Sequence, residues 1–487
     1  MKWNWILSAK KTLENETPVI KCKSGGALSA VIIYPNSYFT GMSNLGFHAV
    51  FTLLNKNLKI SCERAFYPEK QYIDFFKKEK NLRSLETQKP LQDFDLILFS
   101  VSFESDLIRA ISMLQMSAIP IFSKDRHEND PLVFLGGAVA MLNPEPIANF
   151  MDFIVTGRAE SVLPEAIEKI KNKTSRQNLL NELSCIKNIY VPSLQNSSNP
   201  EPDTESHTFF SSAVLSESTE FKNTFLTEIM NGCPFSCNFC AVGNCFGKLK
   251  YRPFEDFKNC LETLEVNIKK IGLIGACINT HPEFDKILEH LRNKNIKIGF
   301  SSLRADILTD TVLDFLKNEG NGQLTLAPES GSEKLRFLAG KKMSDKNFYD
   351  AISKALKKGI NAVKLYFMVG LPEETNEDIL LIVDMLKKVS EMKQKGSLQI
   401  FASVSQFVPK NFTAFADCHQ EKIEIVTKRM ALLKSKIPKG IIFHTESPKD
   451  AFVQGLLAKG TRDLAPLLTD LNGEVSYSAV KRIMKEI

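Results

Sequence analysis

Short apolar runs, each closed by Gly, Pro or Asn and followed by a stretch with apolar residues at helical spacing, recur through the first third of this 487-residue chain. Residues 28–34 read LSAVIIY and stop at Pro35-Asn36; 95–101, 131–135 and 152–155 are of the same kind, and 59–61 is a weaker candidate. Near-continuous apolar runs of this length are typical of strands buried on both faces of a parallel sheet. Leu45, Phe47, Val50, Leu53 and Leu54 predict a helix within 42–54, and similar spacing predicts helices over 105–116 and up to Ile170. Residues before Gly26 are polar and basic without a strong pattern. The alternation predicts an α/β fold, a doubly wound parallel sheet over 1–190 with any ligand at the carboxyl ends of its strands.

Residues 191–220, rich in Ser, Asn, Pro, Glu and Thr, read as a linker. A second alternation fills 221–415. Strands are predicted at 225–230, 270–274, 297–300, 324–327, 362–370 and 398–404, with helices at 282–292, 311–317 and 348–357 between them. The remainder, 416–487, reads as a small C-terminal extension, α/β or helical.

Composition narrows the class. The 43% apolar and 24% charged fractions are those of an ordinary globular protein. A net charge of +6, from 62 basic and 56 acidic residues, is mild and interleaved, so a solvated mixed-charge surface is expected and nucleic acid is not indicated. No apolar run reaches the ~18–20 residues of a membrane helix, and the start is too short in its apolar part for a secretory signal. A cytoplasmic protein with no membrane partner is expected. Ten cysteines are too few for a disulfide scaffold.

Three of those cysteines carry the chemistry. Cys233, Cys237 and Cys240 stand at a CxxxCxxC spacing directly after a predicted strand. Thiolates are soft ligands, and cubane iron–sulfur clusters are held by them on short loops. Three sulfurs leave the fourth iron of a 4Fe–4S cluster open to an outside ligand, and an open position marks a reactive metal site. A zinc loop is the other reading. It needs a fourth ligand, for which Cys245 is within reach, but no second CxxC or His pair follows.

With Phe239 just before its last cysteine, the loop resembles that of the radical S-adenosylmethionine (SAM) enzymes. The resemblance implies a 4Fe–4S cluster on these cysteines, SAM chelating the open iron, and reductive cleavage of SAM to a 5′-deoxyadenosyl radical. The six strand–helix units match that family's partial (β/α)6 barrel, whose chemistry sits on the C-terminal strand ends. Gly275-Ala276 ends the second barrel strand, which in the family faces the methionine part of SAM; small residues there also serve strand–helix packing. Ser302 and Arg304 follow the third strand, where the arginine fork can take the SAM carboxylate or an acidic substrate, or form a surface salt bridge. Glu329, in Glu329-Ser330-Gly331, resembles the family's "ESG" acid that contacts SAM, and it can also cap the next helix. Lys341 stands where related enzymes place a basic residue for the SAM carboxylate, and Lys342 is an equal candidate. The stretch from Gly370 to Thr375 resembles a "GLPxET" turn and is mainly structural, with Thr375 and the acids able to cap the next helix. Residues 407–410 resemble a wall of the substrate cavity. Cys245 and Cys277 are read as buried, unreactive thiols ahead of an auxiliary ligand or a reactive thiol, and His281 as a plain polar residue.

The first half resembles the cobalamin-binding domain that precedes the radical SAM domain in one large subgroup. The matching residues are Ser100 and Ser102, Gly136-Gly137, and Gly157-Arg158-Ala159-Glu160 at strand ends. Glycine pairs there let backbone approach a flat ligand. One feature departs: many cobalamin domains carry Asp-x-His-x-x-Gly after the first strand, whereas here Tyr38 occupies the histidine's place in 36–41. Two readings stand side by side, cobalamin held without a histidine from this loop and a domain that keeps the fold without the cofactor. With cobalamin, methyl transfer to an unactivated carbon is expected; without it, a rearrangement, cyclisation or thiolation. A non-catalytic iron–sulfur protein for redox sensing or RNA binding is the reading from another class, and the Gly275, Glu329 and Gly370 stretches argue against it. The implied partners are a reductant protein such as a flavodoxin or ferredoxin, and a substrate that the sequence does not identify.

Overall fold

The computed structural model describes residues 1–21, 25–26, 28–58, 60–198, 208–300, 303–318, 322–392 and 398–485. The chain divides into two compact units, Met1–Phe225 with Leu456–Ile487, and Leu226–Gly455.

In the first unit the apolar runs become strands β1 (Ser29–Tyr34), β2 (Ser61–Phe66), β3 (Leu96–Ser100), β4 (Leu132–Gly136) and β5 (Phe153–Val155), joined by β6 (Ile189–Tyr190). The sheet order is β2-β1-β3-β4-β5-β6, parallel except for β6. Residues 30–34 and 96–99 are all buried, as near-continuous apolar strands under helices should be. The helices of eight residues or more before the linker are α1 (Lys2–Glu14), α2 (Leu45–Thr52), α3 (Lys70–Glu79), α4 (Asp106–Gln115), α5 (Ala159–Lys171) and α6 (Arg176–Ser184). The strand order reverses between β1 and β3, which places the crevice of the doubly wound sheet at their carboxyl ends.

Three features depart from the pattern. The polar lead-in is helix α1, anchored by buried Ala9 and by Trp5 edge-on to Phe76 at 5.4 Å. Strand β2 runs over 61–66 rather than 59–61, and its inward Arg64 masks the strand signal. That guanidinium is buried against Glu16 at 2.7 Å and Glu86 at 2.6 Å. The segment read as a linker is largely built into the unit: Val214–Ser216 pairs antiparallel with Glu16–Pro18, and Ala213 to Leu215 are buried. Residues 199–207 of it lie outside the described residues.

In the second unit β7 (Phe225–Glu228), β8 (Lys270–Ile274) and β9 (Lys297–Phe300) form one sheet in the order β9-β8-β7. A second sheet runs β10 (Gln323–Glu329), β11 (Ala362–Val369), β12 (Gln399–Gln406) and β13 (Ile441–Thr445), parallel throughout. Helices α7 (Phe254–Glu262), α8 (Phe284–Asn293), α9 (Asp310–Asn318), α10 (Glu333–Leu338), α11 (Asp345–Lys357), α12 (Asn376–Glu391) and α13 (Ile423–Lys436) follow the strands. The two sheets are open, the arrangement of a partial barrel. Strand β13 is a seventh strand that the apolar pattern did not single out, because none of its residues is fully buried.

The segment 416–487 is shared between the units. Helix α13 and β13 complete the second, while the last residues join the first. Arg462 reaches Glu145 at 2.9 Å, Asn143 Nδ2 donates to the Gly460 carbonyl at 2.9 Å, and Gln115 Nε2 donates to that of Thr469 at 2.9 Å. Among the described residues no helix is long and apolar enough to cross a membrane.

Candidate active site

The cysteine loop leaves β7 through Met230–Asn231, which pairs antiparallel with Lys250–Tyr251. Gly232 has φ +73° and a Cβ there would lie 3.1 Å from Leu249 Cα, so only glycine fits this turn comfortably. The backbone of the loop is then pinned from outside. Asn238 donates from its backbone to the Ala339 carbonyl at 2.9 Å and from its side chain to that of Leu338 at 2.8 Å, and its own carbonyl accepts from Phe415 at 2.9 Å. Asn244 Nδ2 donates to the carbonyls of Cys237 and Cys240. Phe239 packs against a buried cluster of Ala339, Leu371, Phe407 and Phe415. Three thiols are thereby presented on a fixed frame, the preorganisation a metal cluster requires.

All three thiols line one cavity of about 240 Å³ at the C-terminal strand ends. Phe239, Ala276, Arg304, Glu329 and Lys341 line it with them, so eight of the residues singled out from the sequence meet at one place. Gly275 stands just outside, where a Cβ would fall 2.3 Å from Met230 Cγ, so its smallness serves strand packing. Ser302 lies outside the described residues. Sequence reasoning gave no role to Phe235, Leu326 or Met343, which also line the cavity; Phe235 lies inside the cysteine motif itself.

The charged walls are specific. Arg304 forks onto Asp306 at 2.8 and 2.9 Å, and its guanidinium lies 3.7 Å from the Phe235 ring centroid. Its side chain is 11% exposed, so this is a cavity-wall pair rather than a surface salt bridge. Glu329 has φ +68°, a left-handed conformation uncommon for glutamate. It follows Pro328, and the register of β10 on β11 slips between Leu326 and Glu329. A proline without an N–H and the bulge it accompanies re-aim the carboxylate into the cavity. Lys341 Nζ meets that carboxylate at 2.6 Å, whereas Lys342 is exposed. Helix α10 is capped by Ser332, whose Oγ accepts from Leu335 N, not by Glu329.

Burial pushes the Cys233 and Cys237 thiols up, and the Arg304 and Lys341 charges oppose it. Cys277, also in the cavity wall, is pushed up to about 12, first by burial and then by Cys233. Cys245 is pushed up to about 11 by burial and by Cys240, and its Sγ–H donates to the Asn411 carbonyl at 3.7 Å. Among the described residues no three His, Cys, Asp or Glu side chains gather around a point for one metal ion. Three free thiols around a cavity with two cations instead suit an anionic iron–sulfur cluster, whose irons occupy separate corners and whose binding deprotonates the thiols.

The flanking turns are structural. Glu374 takes the Gly370 N–H at 2.7 Å and Arg429 at 3.0 Å, and Thr375 with Asp378 forms a capping box on α12. His281 is held between the Arg252 carbonyl and the Glu283 N–H.

In the first unit, Gly137 has φ +105° and a Cβ would lie 2.5 Å from the Val101 carbonyl; a Cβ on Gly157 would lie 2.7 Å from Asn188 Cβ. Both glycines are thus required by the protein's own packing. Arg158 and Glu160 pair with each other at 2.6 Å. Tyr38 donates to Glu16 at 2.5 Å and is locked into the Arg64 network. His48 has Nε2 on the Met42 carbonyl and Nδ1 on the Ala213 N–H, so neither nitrogen is available to cobalt. At the crevice between β1 and β3, Asp106 accepts from Asn36 at 2.8 Å and Arg109 at 3.0 Å, while its buried Oδ2 has no partner. Exposed Phe39 and Phe103 follow the same two strands. Exposed aromatic faces at these strand ends suit a flat macrocycle held without an imidazole ligand.

Two family descriptions match this chain: "Radical SAM proteins, N-terminal" over 46–192 and "Radical SAM superfamily" over 227–386. An uncharacterized protein of Methanocaldococcus jannaschii is 29% identical over 465 residues, covering 93% of this chain and 94% of its own. A tRNA-2-methylthio-N(6)-dimethylallyladenosine synthase of a Shewanella species is 23% identical over 378 residues, covering 73% and 72%. Among solved structures, the radical SAM methyltransferase TsrM of Kitasatospora setae, with cobalamin and a [4Fe-4S] cluster bound, superposes with a TM-score of 0.54 at 11% identity, covering 82% of this chain and 75% of that one.

Proposed function

The chain belongs to the radical SAM superfamily, and we propose that it cleaves SAM reductively and uses the first unit to hold a corrinoid for methyl transfer. The observation that carries this reading is the shared cavity of Cys233, Cys237 and Cys240 with Arg304 and the Glu329–Lys341 pair. When bound, the cluster supplies the electron that splits SAM. Cys233, Cys237 and Cys240 would hold it through three thiolates. Arg304 and Lys341 offer cations to the SAM carboxylate, and Glu329 offers an acceptor to its ammonium or ribose hydroxyls. Leu303, Leu326 and Met343 form an apolar wall that keeps water from a reactive intermediate. The strand-end crevice of the first unit supports a corrinoid without a histidine ligand.

Anaerobic reconstitution with iron and sulfide, followed by SAM and a strong reductant, tests the first part. 5′-Deoxyadenosine or a methylated product from the native protein, and neither from Cys237→Ala, is the expected result. Corrinoid absorbance that remains with the protein after gel filtration tests the second. Its absence after growth with ample cobalamin overturns the methyl-transfer reading. Thiolation would then be favoured, because the methylthio synthase relative aligns over 72% of its length.

A further inference from the structure

Both tryptophans of this chain, Trp3 and Trp5, lie on helix α1, and they face opposite ways. Trp5 stands edge-on to Phe76 and, with buried Ala9, holds the helix to the first unit. Trp3 points away from the unit and is 73% exposed, and Leu7, one turn further on, is 61% exposed. Among the described residues no large apolar side chain is more exposed than Trp3. Helical spacing puts positions 3, 7, 10, 11 and 14 on this outer face, and Trp3, Leu7, Lys10, Lys11 and Glu14 are all exposed there.

The charge around this apolar pair is mainly positive. Helix α1 carries Lys2, Lys10 and Lys11 against the single acid Glu14. Residues 69–80, which include its packing partner Phe76, add four lysines and three acids. Glu16, the next acid along the chain, is buried on Arg64 at 2.7 Å. A tryptophan with a leucine one turn away and lysines on the same face is the composition of a helix that lies in a membrane interface. The apolar pair enters the head-group boundary, and the lysines lay their stems along it while their ammonium groups meet anionic head groups. Leu7 favours lipid over nucleic acid, because an aliphatic side chain offers no face on which a base stacks. We propose that α1 is a docking face for an anionic lipid surface, with Trp3 and Leu7 inserted and Lys10 and Lys11 on the head groups. No spanning segment is needed for this, since a helix lying in the interface requires only one apolar stripe.

The test mixes the full chain with vesicles of phosphatidylcholine, alone or with about 30% phosphatidylglycerol, and reads flotation and tryptophan emission. Native protein is expected to float with the anionic vesicles, its emission shifted to shorter wavelength, and to release as salt rises. Trp3→Ser with Leu7→Ser is expected to lower the partition coefficient about tenfold or more. Lys10→Gln with Lys11→Gln is expected to lower it about tenfold or more on anionic vesicles and to leave binding to phosphatidylcholine alone unchanged. All four side chains are exposed, and native far-UV circular dichroism and thermal unfolding would show that neither variant has lost its fold. Native protein that does not float with anionic vesicles overturns the proposal, as does equal partition of native and Trp3→Ser/Leu7→Ser protein. Loss of tRNA binding in that variant at unchanged flotation would assign the face to nucleic acid. A native dimer in light scattering that the same variant dissolves, again at unchanged flotation, would assign it to a second copy of this chain.

Discussion

Glu329 and Lys341 meet at 2.6 Å in the cavity, each side chain 13% exposed. On the proposed reading each contacts a different part of SAM, and without ligand they neutralise one another. Lys341→Met leaves the carboxylate without its partner, and losing half of a mostly buried pair is costly. SAM affinity is expected to fall at least about tenfold, or ~1.4 kcal/mol, by equilibrium dialysis. Unchanged affinity would place SAM elsewhere.

Cys233, Cys237 and Cys240 differ from the other thiols by sharing one loop and one cavity. Alanine at any of the three is expected to take iron well below the roughly four per chain of a 4Fe–4S cluster. Cys245 is outside the cavity wall and donates to the Asn411 carbonyl, so Cys245→Ala should retain native iron content and EPR signal. Iron loss in Cys245→Ala equal to that in Cys240→Ala would mean a fourth thiolate ligand.

Arg336 is a fully buried guanidinium that donates to the carbonyls of Ser330, Gly331 and Met343 and pairs with Asp345. It ties the turn after Glu329 to the segment just beyond Lys341. Arg336→Leu strips three buried carbonyls of their donor, and a loss of about 3–5 kcal/mol in unfolding free energy is expected from urea titration. SAM binding should weaken with it. A variant of native stability and affinity would show that the backbone holds this turn unaided.

Asp106 is buried with one oxygen unpartnered, and burial lifts its carboxyl to about 6 against the pull of Arg109 and Asn36. The folded protein therefore binds this proton more tightly than the unfolded chain. Its stabilising contribution is full below the ordinary value of 3.8 and is lost as pH rises through about 6. The loss amounts to about 3 kcal/mol. Hydrogen exchange of the first unit, followed across that interval, should show this decline, and Asp106→Asn should flatten it. A slope unaltered by the substitution would place the titration on another group.

Periodicity located most strands, because a strand buried on both faces must be apolar along its length. It misplaced β2, set at 59–61, where Arg64 is carried inside by two glutamates, and passed over β13, none of whose residues is fully buried. It also passed over α1, which buries little of its surface. Each miss has the same source: a partner distant in sequence supplies what the local pattern lacks.

The sequence by itself determined the chemistry of the site, since soft thiolates at a CxxxCxxC spacing on a strand-end loop admit few uses. It also determined the two α/β alternations. Only the tertiary structure decided which neighbours share the cavity. It turned Lys341 inward and left Lys342 outside, set Gly275 to packing, and gave Ser332 the cap expected as one role of Glu329. It also returned the last residues to the first unit. Side-chain type is fixed by covalent chemistry, whereas direction, pairing and burial are set by contacts between residues far apart in the chain.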